Sequence, residues 1–123
     1  MEKFLINKTR SKNMPKIISF IEWSIKNAEE MHEKYPDTFN IPTLSERENL
    51  LKGDFAKLIF LFHYKNENDE VEILGERMWV VVNKVNRHAY HGILNNQPAF
   101  EYCISVGDLV HFMPRNIIDI LKK

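Results

Sequence analysis

Glu76, Arg77, Met78 and Trp79 place a carboxylate and a guanidinium beside an indole at the start of an apolar run, the most distinctive constellation in the sequence. On a β-strand adjacent residues point to opposite faces, so Arg77 and Trp79 would share one side and Glu76 and Met78 the other. From there Arg77 could stack on or beside Trp79 and offer its planar fork of donors to an acidic partner. In the competing reading Trp79 packs in the core while Glu76 and Arg77 pair with neighbouring loops. Asn95-Asn96-Gln97-Pro98 forms a second candidate: the amides of Asn95 and Asn96, next to Pro98, suit recognition of a backbone or polar ligand, and equally suit a turn. Gly107 and Asp108 read as a structural turn, because glycine tolerates positive φ and aspartate bonds the backbone that follows it.

The histidines and the cysteine give less. His88 and His91 would point to opposite faces of a strand and so would not converge on one ion. His32, His63 and His111 fall on separate elements, and no cysteine pair or His-Glu-x-x-His pattern joins them, so neither a metal nor a cofactor is expected. Cys103 with His91 or His111 would be a nucleophile and base, but a lone cysteine reads more simply as a small buried hydrophobe. The glycines at positions 53, 75, 92 and 107 are too scattered to cradle a phosphate. No catalytic residue is assigned.

A chain of 123 residues with 44% hydrophobic and 28% charged residues has the size and composition of a single folded core. Lys plus Arg and Asp plus Glu each number 17, and this balance argues against nucleic acid or an anionic membrane as partner. The charge is uneven, however: Lys3, Lys8, Arg10, Lys12 and Lys16 form a basic arm opposed only by Glu2, while residues 22–48 are acid-rich. A single cysteine excludes an internal disulfide, and Phe4-Leu5-Ile6 is too short an apolar run for a signal-peptide core or a membrane span, so the cytoplasm is the expected location.

These residues require a scaffold, and hydrophobic periodicity suggests one. Met14, Ile18, Ile21, Ile25, Ala28, His32 and Tyr35 recur at three- and four-residue steps, which predicts an amphipathic helix from about Pro15 to Lys34. On that helix Phe20 and Trp23 fall outside the apolar stripe, making Trp23 a candidate contact anchor. Thr43-Leu44-Ser45-Glu46 fits a capping box opening a short second helix that ends by Gly53. Strands are predicted over Phe55–Phe62, Arg77–Val82, His88–Leu94 and Leu109–Phe112, the first two paired antiparallel, with Gly92 at a bulge or close approach. Pro114 would open a short terminal helix through Ile120. The expected fold is therefore α+β: a basic arm over 1–14, then one domain over 15–123. In it the N-terminal amphipathic helix packs on a strongly curved antiparallel sheet of about four strands, partial closure into a small barrel being one way to hide its edges, and a short C-terminal helical turn follows.

Five segments carry a family resemblance: Gly53-Asp54-Phe55-Ala56-Lys57-Leu58, Gly75 to Val80, Gly92 to Pro98, Val106 to Val110 and Ile117-Ile118-Asp119. In their order and spacing, residues 52–120 resemble the YegJ-like bacterial family, a domain of unknown function. The resemblance implies an architecture with a helix ahead of the sheet, and no reaction; by analogy with small accessory domains it admits an immunity-type binding role. The functional expectation is a non-enzymatic module that binds another protein, as an immunity-type or accessory factor; a second copy of the chain is an admissible partner too. A small nucleic-acid binder using Arg77, Trp79, Arg87 and Tyr90, and a hydrolase using Cys103 or a histidine, are the alternatives.

Overall fold

The computed structural model describes residues 4–5, 13–99 and 104–123. In chain order the elements are β1 Phe4–Leu5, β2 Ile17–Ile25, α1 Ala28–Lys34, α2 Leu44–Glu48, β3 Phe55–Asn66, β4 Val71–Asn86, β5 Ala89–Leu94, β6 Leu109–Phe112, a 3-10 turn Pro114–Asn116 and β7 Ile117–Leu121. Strands β2 to β6 follow one another as an antiparallel meander, and β1 and β7 join it by pairing with β4 and β3. The sheet curls into a half-barrel.

β3 and β4 are the frame. Their register runs from Phe55↔Val81 to Lys65↔Val71, around a turn in which Asn66 Oδ1 accepts the N–H groups of Asn68 (2.9 Å) and Glu70 (3.1 Å) and Asp69 takes φ 61°. Even-numbered residues on these strands line the concave core: Ala56, Leu58, Phe60, Phe62 and Tyr64 from β3, and Leu74, Met78, Val80 and Val82 from β4. Odd-numbered Ile59 and Leu61 face the other side, where Ala28, Phe39, Ile41 and Ile118 cover them. Both faces are thus apolar around the middle of β3, as its dense β-branched and aromatic run demands.

The long N-terminal helix is not formed. Ile17–Ile25 is a strand, antiparallel to β3, and the helix begins only at Ala28, where the Asn27 side chain accepts the Glu30 N–H. The cause lies in two register shifts, between Ile17 and Ser19 and between Phe20 and Glu22. Each shift adds a residue to the strand without advancing the pairing, so the side chains packed on the core are Ile17, Phe20, Trp23 and Ile25. Their near three-residue spacing mimics a helical period. Of the residues assigned to the helical stripe, Ile18 and Ile21 are exposed, whereas Ile25 packs on the core and Ala28 is buried.

Two further expectations are corrected. The meander has five strands rather than about four, with β1 and β7 in addition. The C-terminal helical turn stops at Asn116, after which Ile117–Leu121 pairs with the first residues of β3. The capping box at Thr43 is present with both of its arms, although α2 ends at Glu48. Gly92 is a point of close approach: a Cβ there would lie 3.0 Å from Phe112 Cε1 and 3.2 Å from Val80. No helix among the described residues is long and apolar enough to cross a membrane.

Candidate partner-binding groove

The outer edge of β3 is shared, β2 pairing with its second half and β7 with its first. Among the described residues no strand pairs with the far edge of β7, and the stretch Asn40–Pro42, which has no regular structure, lines one groove with it. Between them runs a groove of about 590 Å³ whose apolar lining comes from Ile41, Pro42, Ile118 and Ile120. Its polar rim includes Asn40, Glu46 and Lys122.

Local chemistry fixes the walls. Glu46 accepts the backbone N–H (3.0 Å) and hydroxyl (2.9 Å) of Thr43, bonds that hold its carboxyl below the usual range. Arg47, the buried residue of α2, donates from Nε to the Pro42 carbonyl (2.8 Å), and through one Nη to Glu29 (2.6 Å) and to the Pro114 carbonyl (3.0 Å). One guanidinium therefore ties both helices to the 3-10 turn ahead of β7. His32 Nδ1 donates to the Phe39 carbonyl at 2.6 Å, setting the bend into the groove wall. On the far side, buried Asp54 accepts from Lys122 Nζ (2.7 Å) and from the backbone N–H groups of Lys123 (2.9 Å) and Leu51 (2.8 Å). Burial pushes the Asp54 carboxyl upward, but the bonds from Lys122, Lys123 and Leu51 and the Lys122 charge outweigh it and leave it below its ordinary value.

A smaller recess of about 210 Å³ adjoins the groove across Asn40, Ile118 and Asp119, and Lys57 and Arg77 enter it. The Arg77 guanidinium carbon lies 5.6 Å from the Phe39 ring centroid, and Lys57 Nζ lies 5.4 Å from that of Trp79. Lys57 is the cross-strand partner of Trp79 and Ile59 that of Arg77, so the two cations are diagonal neighbours on the odd-numbered face. Among the described residues neither meets a carboxylate within salt-bridge distance. Asp119, across from Lys57 on β7, accepts instead from the Ile120 N–H at 2.8 Å.

The candidates named from sequence separate into two groups. Arg77 and Trp79 share a face, but Phe39 rather than Trp79 lies under the guanidinium. Glu76 is buried on the opposite face, where its two oxygens accept the Ala99 N–H at 3.0 and 3.1 Å. The Asn95–Pro98 stretch is stitched to β4: Asn95 N–H donates to the Trp79 carbonyl at 2.9 Å, the Asn96 side chain accepts the Trp79 N–H, and Pro98 is buried. Trp23 packs inward with its ring 5.7 Å from that of Phe60, so it is not the off-stripe helical residue expected. Gly107 adopts φ +94°, and Asp108 accepts the Ser105 N–H at 2.8 Å, a turn that aims β6. Cys103 lies outside the described residues, as does most of the basic arm.

Sequence reasoning missed three features. Lys57 and the Asn40–Pro42 wall become relevant only once β7 docks beside β3. His91 and His111, read as belonging to separate elements, are cross-strand partners with rings stacked at 4.1 Å and 24°. Desolvation, then the charges of His111 and Lys84, holds His91 below the ordinary histidine value. Among the described residues no three His, Cys, Asp or Glu side chains gather around a metal-sized space.

No protein-family model, curated protein or solved structure matches this chain.

Proposed function

We propose that the chain is a non-enzymatic protein-binding module that takes an extended, acidic segment of its partner along β7. The observation that carries this is the pair Lys57 and Arg77, which share their recess with Asp119 but form no salt bridge among the described residues, at the end of an apolar groove beside a β7 edge that no described strand pairs with. An added strand satisfies its backbone on such an edge while alternate side chains fill pockets, here the surface of Ile41, Ile118 and Ile120. A carboxylate arriving in the recess meets a guanidinium already oriented on Phe39 and an ammonium on Trp79. The immunity-type or accessory role and the YegJ-like resemblance fit a small domain of this kind, and a cytoplasmic setting goes with its single cysteine.

The nucleic-acid reading has less support. Tyr90 is buried, with its hydroxyl donating to the Arg47 carbonyl at 2.7 Å, so it shares no stacking surface with Trp79.

Fluorescence anisotropy with an extended peptide alternating Ile and Glu, against the same peptide carrying Lys for Glu, tests the reading. The acidic peptide should bind, with affinity falling as salt rises. Arg77→Ala and Lys57→Ala should each weaken it about tenfold, equivalent to ~1.4 kcal/mol. Equal binding of both peptides, or full binding by an Arg77→Glu variant, would remove the proposal.

A further inference from the structure

The Leu94 N–H donates to the Asp108 carbonyl at 2.9 Å, which marks a hydrogen-bonded site of the β5–β6 ladder. Alternation then puts Gly92↔Val110 and Tyr90↔Phe112 on hydrogen-bonded sites and His91↔His111 on the non-bonded site between them. Opposite side chains approach most closely at such sites, where the Cα atoms are about 4.5 Å apart. Tyr90, Val110 and Phe112 are buried, so the two imidazoles project from the outer face, His91 half-buried and His111 exposed. Asn86, at the end of β4, holds its amide nitrogen 3.2 Å from His91 Nε2.

We propose that His91 and His111 bind a divalent transition-metal ion of the imidazole-preferring class, Zn²⁺ or Cu²⁺, with Asn86 as the positioning residue. An ion about 2.0–2.1 Å from one nitrogen of each ring at a tetrahedral angle separates those nitrogens by about 3.3 Å. The rings, stacked with centroids 4.1 Å apart and planes 24° from parallel, must turn about their side-chain bonds until their in-plane lone pairs converge, a motion open to two side chains on the outer face at a closely spaced cross-strand site. A half-turn of the Asn86 amide presents its oxygen to His91 Nε2; accepting the Nε2–H leaves Nδ1 for the ion, the usual outer-shell arrangement of a metal-bound histidine. Water fills the remaining positions. Lys84, across from His91 on β4, opposes the ion's charge from a flexible, exposed side chain. His88 lies in the exposed turn before β5 and has no part in the site.

The test is titration of the whole chain with Zn²⁺ and, separately, Cu²⁺, followed by calorimetry, with electron paramagnetic resonance counting nitrogens on copper. One ion per chain with two imidazole nitrogens is expected. Binding should vanish in His91→Ala and in His111→Ala and persist in His88→Ala and His63→Ala. Asn86→Ala should weaken it about 10–100-fold, with Asn86→Asp restoring it, and Lys84→Gln should tighten it. Because the two imidazoles lie on the outer face, their removal should leave the circular dichroism unchanged. Binding that survives His111→Ala, or no binding of either ion at millimolar concentration, overturns the site.

Discussion

Arg47→Met removes a guanidinium and keeps most of its stem, at a side chain only 7% exposed. Three bonds disappear, to Pro42, Pro114 and Glu29. A buried acceptor stripped of its partner costs about 1–3 kcal/mol, and the carbonyls of Pro42 and Pro114 are the acceptors concerned. The Glu29 side chain is 43% exposed, so water replaces its lost partner and its share is discounted to under about 1 kcal/mol. The methionine recovers some apolar contact, leaving a net loss of about 2–4 kcal/mol. At this chain length each kcal/mol moves Tm by about 3–5 °C, so a fall of roughly 6–20 °C is expected. Urea and thermal unfolding followed by far-UV circular dichroism and tryptophan fluorescence measure it. Arg47→Lys should fall between, because an ammonium cannot serve the carbonyls as a fork does. A loss under about 0.5 kcal/mol for Arg47→Met, the range of an ordinary surface substitution, would refute the claim that this guanidinium clamps the helices to β7.

Asp54 has a carboxyl held below its ordinary value, so the stability it contributes is present above the unfolded-state value and is lost as pH falls through the lower folded value. Unfolding at stepped pH should therefore show an acid limb that flattens in Asp54→Asn; an unchanged limb would count against the Lys122 and Lys123 contacts. Gly92→Ala should cost about 1–3 kcal/mol in urea unfolding because of the overlap with Phe112 and Val80. Gly107→Ala meets nothing within 4 Å and should cost only about 1 kcal/mol, from its positive φ; a reversed order would contradict the β5–β6 packing. Trp23→Ala should cost about 1.5–3 kcal/mol, as truncation of a half-buried side chain packed on the core, whereas Ile21→Ser, on the exposed side of β2, should stay within about 0.5 kcal/mol. A helix over 15–34 would invert that pair.

Composition was a sound guide where a strand's side chains face apolar neighbours on both sides. β3 is the example: its run of Leu, Ile and Phe admits little else, and β4 follows from its antiparallel register. The Thr43 capping box was equally readable, because its bonds close within four residues. β2 was misread since the pattern of inward residues depends on two bulges, which are properties of the pairing with β3 rather than of local sequence. β7 was missed because Pro114 at the start of a 3-10 turn looks like the start of a helix. The face-sharing of Arg77 with Trp79 followed from strand alternation alone. The neighbours that matter to them, Phe39 and Lys57, come from other elements, and only the completed sheet brings His91 to His111.

The sharing of the β3 edge has a consequence for biosynthesis. Residues 55–58 wait for Ile117–Leu121, made last among the described elements, to cover them. A nascent chain emerging from the ribosome therefore carries a naked edge at residues 55–58 until Ile117–Leu121 has been made, and such edges recruit strands from other chains. Premature termination before Ile117 would leave that edge open for good, so truncated products should precipitate or engage chaperones even though the β3–β4 hairpin is already complete.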